Sequence, residues 1–270
     1  MQKFRRGLWL TILCAATSPA TADNGLYLFA IPATLSANES GRLGNDILAT
    51  LHVPSGEEAA KTLGSAQDIN VIAADAGAVT LSLGNRATLA GEPVAAHLAP
   101  SFVVDFDESA ISALQQELVA AHGPEPDRLA LVEFVYDFVA EKNYSRAFDL
   151  ASKVATTGEG DCTEHAVLLA ALSRALQRPA RIVFGVLLVE GSHRLHGFGH
   201  AWTEIYDRGL WHVADATMPE RESPDLRVFY LPMLDLQNEG PGYAMDLARL
   251  ARLQPSQVSE IGNAGPASMD

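Results

Sequence analysis

The sequence predicts an α+β fold in which a buried helix packs on an antiparallel sheet, preceded by a small β-rich region. Three observations predict it. From Leu26 to about Phe106 the apolar residues fall in short runs broken by Gly, Pro, Asn and Ser; at Asp107 the period becomes helical; after Pro179 it returns to that of strands.

Strands are expected over Leu26–Ile31, Ile47–Val53, Ile69–Ala73, Ala78–Leu83 and Phe102–Phe106, with Val79, Leu81 and Leu83 alternating against Thr80 and Ser82. Ile111, Leu114 and Leu118 mark a helix that stops at Gly123-Pro124. A second begins near Asp127, with Leu129, Val132, Val135, Tyr136 and Val139 on one face and Leu131, Phe134 and Phe138 widening it. A polar connection, Lys142 to Glu159, leads to a third helix that Pro179 ends. Asp161 and Glu164 form an Asp-x-x-Glu capping box at its start. Strands follow over Ala180–Val189, Gly199–Tyr206 and Leu210–Ala216, then a helical stretch from Tyr243 to Leu253 and a frayed end. The chain thus divides into 1–22, 23–106, 107–237 and 238–270.

Residues 1–22 read as an export signal: Lys3, Arg5 and Arg6 precede the apolar run Leu8 to Ala16, and Ala20-Thr21-Ala22 is a small-x-small cleavage site. The run is too short to span a bilayer, and no later segment is apolar enough to do so. The expected location is the periplasm or the medium. Without those residues the chain has 16 Lys and Arg against 33 Asp and Glu, a net charge of −17, which speaks against a nucleic-acid partner. Oligomeric state is not readable. Cys162 is the only cysteine outside that segment, so the fold is not disulfide-stapled.

A lone cysteine is usually a small buried hydrophobe. Here Gly158 and Gly160 precede it, and at the first turn of a helix the unpaired N–H groups and the dipole favour a reactive thiolate. The Cys162 backbone N–H is the natural oxyanion donor. His200 opens one strand, Asp215 closes another, and Asp207-Arg208-Gly209 between them is a tight-turn sequence. With Asp207 and Arg208 as the turn pair, positions 200 and 215 fall opposite each other on one face; a bulge at Gly209 gives nearly the same register. Nucleophile, base and orienting carboxylate are the parts of covalent acyl transfer. Glu164, His165 and Trp202 are possible cleft residues. Glu164 is also the capping partner, His165 reads as partly exposed, and Trp202 as packing for the hairpin.

These motifs, Gly160-Asp161-Cys162, Ala166 to Ala175, Pro179 to Val183 with Gly185, His200 to Glu204 and Trp211 to Thr217, resemble the transglutaminase-like superfamily of papain-like thiol enzymes. The resemblance runs from about Leu129 to Thr217. It implies a papain-like core with the cysteine-bearing helix on an antiparallel sheet, a catalytic triad of Cys162, His200 and Asp215, no cofactor, and a protein or peptide substrate. Attack on a peptide bond or glutamine amide would be followed by water or an amine; with no amine pocket visible, hydrolysis by a peptidase or amidase is favoured over cross-linking. Gln177 departs from the family pattern, which has glycine there. No tryptophan before Cys162 supplies an aromatic oxyanion partner, and no acidic cluster resembles a calcium site. One alternative is a non-catalytic binding module. Another is a zinc site from His193, His196 and His200 with Cys162, which would consume the base and leave Asp215 unexplained.

Overall fold

The computed structural model describes residues 29–37, 39, 41–140, 149–191, 195–219, 226–236 and 241–264; side chains of 241–245 and 247 lie outside that description. The expected export segment and His193 fall outside it too. No described helix is long and apolar enough to cross a membrane.

Two sheets form. The first contains β1 (Phe29–Ile31), β6 (Ala180–Glu190), β7 (Leu195–Asp207), β8 (Leu210–Ala214) and β9 (Arg227–Asp235), ordered β1-β7-β6-β9 with β8 also on β7. The second runs β2-β10-β3-β5-β4, from β2 (Ala33–Leu35), β3 (Asp46–His52), β4 (Gln67–Ala74), β5 (Ala78–Thr88) and β10 (Gln257–Asn263). Residues 257–263, expected to fray, instead pair with β3 and β2. Val258 and Ile261 are fully buried there, so that end has a hydrophobic reason to dock.

Helices α1 (Gly56–Leu63), α2 (Ser109–His122), α3 (Arg128–Phe138), α4 (Ala151–Thr157), α5 (Cys162–Ala175) and α6 (Pro241–Leu253) complete the fold. Asp127 caps α3 by accepting from the Ala130 N–H at 2.8 Å. Leu129 departs from the expected buried face and is exposed. Residues 102–106 are not a strand. Phe102 is exposed, the Val103 carbonyl accepts from Ala151 N–H, and Asp105 accepts from the Ser152 N–H and hydroxyl at the start of α4. α4 itself lies inside the stretch expected to be connection.

α5 is buried along nearly its whole length, between β6 and β7 on one side and α2, α3 and α4 on the other. Side chains alternate along a strand, so β6 serves two cores with one face. Ile182 and Phe184 lie under α5, while Val186 and Leu188 join the core shared with the second sheet. The opposite face carries Val183, Leu187, Trp202, Val213 and Tyr230. A buried ion pair ties the loop after β5 to this sheet: Arg181 meets Glu204, with Nε donating to Oε2 at 2.7 Å, donates to the Leu89 and Ala90 carbonyls, and stacks 3.9 Å over Trp211. Burial pushes the Glu204 carboxyl up to about 7, against the pull of Arg181.

The end of α5 explains the departure at Gln177. The Arg178 N–H bonds the Ser173 carbonyl and the Gln177 N–H bonds that of Arg174, a Schellman closure that puts Gln177 at φ 60°. A side chain there costs roughly 1 kcal/mol, partly offset by the chain entropy that glycine would lose. Gln177→Gly should therefore raise the melting temperature by about 2 °C. Thermal unfolding checks it, and a fall would show that the Gln177 side chain contributes more than its backbone costs.

Candidate functional site

Asp161 and Glu164 close the start of α5 reciprocally. Asp161 Oδ1 accepts from the Thr163 N–H at 2.8 Å, and Glu164 Oε2 accepts from the Asp161 N–H at 3.0 Å. Glu164 Oε1 also accepts from the Asp149 N–H at 3.0 Å, so the same carboxylate anchors the segment entering α4. Gly160 is required beneath it: a Cβ there would sit 2.2 Å from the Glu164 Cβ. The glycine before Cys162 thus serves a close approach, and the approaching group is the capping side chain. Burial, reinforced by Asp161, pushes the Glu164 carboxyl up to about 7.

Cys162 is the first residue of α5 and is fully buried. The structure reverses the expectation of a stabilised thiolate. Burial pushes the thiol well above its ordinary value, Asp161, Asp215 and Glu164 add repulsion, and a backbone hydrogen bond at Ala201 pulls the other way. That bond can favour a thiolate only if the Ala201 N–H donates it. Among the described residues β1 pairs with residues 197–199 of β7 and β8 with 203–207, and the thiol meets the strand between them at Ala201. Thr203 fixes the helix alongside, its hydroxyl donating to the Ala166 carbonyl at 2.8 Å.

The β7–β8 hairpin turns at Arg208-Gly209, with φ 52° and 85°, not at Asp207-Arg208. Positive φ at both central positions makes a type I′ turn, and glycine takes the second of them. The register is therefore two residues from the one expected: Asp207 pairs with Leu210 and Thr203 with Ala214. Asp215 leaves the strand one residue later and is still on the face of His200, because a shift of two preserves the side. His200 Nε2 lies 2.8 Å from Asp215 Oδ2, both residues buried.

Three further donors serve that carboxylate. Oδ1 accepts from the Thr217 N–H at 2.9 Å and hydroxyl at 2.6 Å, and Oδ2 accepts from the Tyr230 hydroxyl at 3.0 Å. Burial alone would raise the Asp215 carboxyl, but His200 and the Thr217 hydrogen bonds outweigh it and bring it down to about 2. An ionised carboxylate only accepts, so Nε2 carries the imidazole proton and Nδ1 is the nitrogen left for proton transfer.

Glu164, His165 and Trp202 are 2 %, 1 % and 1 % exposed and offer a ligand no surface here. His165, expected to be partly exposed, is instead buried with Nδ1 2.6 Å from the Asp161 carbonyl oxygen. Trp202 stacks on His200 at 6.1 Å and meets Tyr230 edge-on at 5.3 Å. Among the described residues no group of three His, Cys, Asp or Glu side chains is placed to hold a metal. Sequence reasoning missed Thr217 and Tyr230. The hydroxyl two residues after Asp215 was a signal for the first; none marked the second.

No curated protein matches the sequence. Among solved structures, the periplasmic domain of TgpA from Pseudomonas aeruginosa aligns at 19 % identity over 73 % of this chain and 87 % of its own, with a TM-score of 0.42. A protein from Cytophaga hutchinsonii, provisionally described as a cysteine protease, aligns at 18 % identity over 71 % and 77 %, with a TM-score of 0.40. The family model of the transglutaminase-like superfamily matches residues 114–216, which run from within α2 to just past Asp215 and include Cys162, His200 and Asp215. The chain therefore carries a transglutaminase-like domain over these residues.

Proposed function

We propose that the protein is a cysteine acyltransferase or hydrolase acting on peptide or glutamine amide bonds, with Cys162 as nucleophile, His200 as acid–base and Asp215 as the group that orients it. The observation that carries the reading is the buried His200–Asp215 pair at 2.8 Å, next in sequence to the Ala201 backbone that the Cys162 thiol engages. A structural pair on a sheet needs no thiol beside it.

Because the resting thiol is held neutral, its proton leaves at the moment of attack. Sγ bonds the amide carbonyl carbon while His200 Nδ1 takes the thiol proton. The C–N bond then breaks, His200 returns that proton to the departing amine, and a thioester remains on Cys162. Water adds to the thioester with His200 again as base, giving a carboxylic acid and the free thiol. A primary amine in place of water gives a new amide. Hydrolysis is the favoured outcome, since water needs no dedicated site. The basic, apolar and small-residue order of positions 1–22 supports action outside the cytoplasm.

The full burial of Cys162 favours a second reading, a binding module that retains the core without turnover. Incubation of a casein digest with and without methylamine separates the readings by mass spectrometry. Hydrolysis cleaves or deamidates peptides, transfer yields methylamide products, and an unchanged digest in both arms supports the binding module.

A further inference from the structure

Resting on the triad reading, we propose that Tyr230 is a positioning residue that fixes the catalytic tautomer of His200 through Asp215. Its hydroxyl donates to Asp215 Oδ2 at 3.0 Å, the same oxygen that His200 Nε2 approaches at 2.8 Å. Thr217 holds the other oxygen of the carboxylate, with its N–H and hydroxyl both on Oδ1, and its hydroxyl oxygen also lies 3.3 Å from His200 Nε2. The two ends of the carboxylate thus have different keepers, and the end that faces the imidazole is kept by Tyr230.

The phenol reaches this position from two strands away. Tyr230 pairs with Leu187 of β6, which in turn pairs with Phe198 of β7, one step along the same face from His200. The space for this crossing comes from Gly185, directly opposite His200. A Cβ at 185 would lie 2.6 Å from Trp202 Cη2 and 2.1 Å from the Leu231 carbonyl oxygen. Pro232 lies opposite that glycine in the same register as Tyr230, and the β6–β9 pairing shifts by one residue just beyond it, where Phe184 meets Leu234. Trp202 then closes a ring, stacked on His200 and edge-on to Tyr230. Imidazole, carboxylate, phenol and indole each restrain the next, which is how a buried polar network specifies one arrangement.

An ionised Asp215 whose Oδ2 is fixed accepts a proton-bearing Nε2 and leaves Nδ1 as the base. Without the phenol hydroxyl the carboxylate can pivot about its Thr217-held oxygen, and the Nε2–H form loses its advantage over the Nδ1–H form. The titratable and charged groups around the pair are Cys162 and Glu164 of α5 with its N-cap Asp161, Arg128 and Glu133 of α3, and Arg86 of β5. Tyr230→Phe alters none of them and keeps the ring against Trp202.

The test compares wild type with Tyr230→Phe by the ¹⁵N resonances of histidine-labelled full-length protein and by kinetics on a peptide amide. The expected result is a single Nε2–H tautomer of His200 in wild type and an average of two in the variant. With it come a fall in kcat of about tenfold, an unchanged KM and a moved acid limb of the pH–rate profile. Identical His200 resonances in the two proteins overturn the proposal, even if Tyr230→Phe melts at a lower temperature, because a merely structural hydroxyl would do only that. If the resonances differ but neither protein turns over any peptide amide, the positioning role stands and the enzymatic reading falls.

Discussion

Replacing Cys162 by Ala should lower turnover by roughly 10⁴-fold or more while the protein remains folded. Without sulfur no thioester can form, and the Thr217 hydroxyl near His200 already donates to Asp215 Oδ1 at 2.6 Å. The stability cost is limited because Cys162 sits in an apolar cluster with Ala166, Leu169 and Ala201, where losing one sulfur leaves a cavity worth about 1 kcal/mol. Ala is the better test than Ser, since a buried serine hydroxyl would need a partner of its own. Far-ultraviolet circular dichroism and a thermal melt check folding, and the rate on a responsive peptide checks turnover.

Asp215→Asn should cost almost as much in rate and more in stability. An amide whose nitrogen faces Nε2 donates to it, which moves the imidazole proton to Nδ1 and removes the base; that effect is worth roughly 10⁴-fold in comparable triads. For stability, the Asp215 carboxyl lies at about 2 in the fold against an ordinary 3.8. A depressed carboxyl contributes stability that is present above about pH 4 and lost as the pH falls through about 2. The difference corresponds to about 2 kcal/mol. Wild type should therefore exceed Asp215→Asn by that amount at neutral pH in urea unfolding, and the gap should close between about pH 4 and pH 2. A gap that persists at pH 2 would mean that Asp215 stabilises the fold by packing and not by its charge.

Which parts of this fold could be read from the sequence follows from where each signal was stored. α5 was legible because its cap is local: Asp161 and Glu164 are three residues apart, and Pro179 stands just past the end. The β7–β8 hairpin was legible as a hairpin, but Asp207-Arg208-Gly209 admits two turn pairs, and only the conformation shows that Arg208 accepts a positive φ. The error preserved the face, so His200 and Asp215 were still placed on one side. β9 was missed because Pro232 interrupts its apolar run, and proline reads as a break. It lies at the end of the sheet order, where a missing N–H costs no ladder bond, and Tyr230 was lost with it. The electrostatics of Cys162 were misjudged for a different reason. A helix start favours a thiolate only while the sulfur is near solvent, and depth is a property of α2, α3, α4 and β7 closing around α5, which no local pattern records.

The most direct test of Cys162 as nucleophile needs no knowledge of the natural substrate. Wild type and Cys162→Ala are mixed with p-nitrophenyl acetate, the nitrophenolate is followed in the first turnover, and the acid-quenched protein is digested and weighed. The triad predicts a burst close to one equivalent in wild type and an acetyl group on the peptide that contains Cys162, with no burst in the variant. A burst of equal size in Cys162→Ala, or acetyl groups on lysines with Cys162 unmodified, would contradict it.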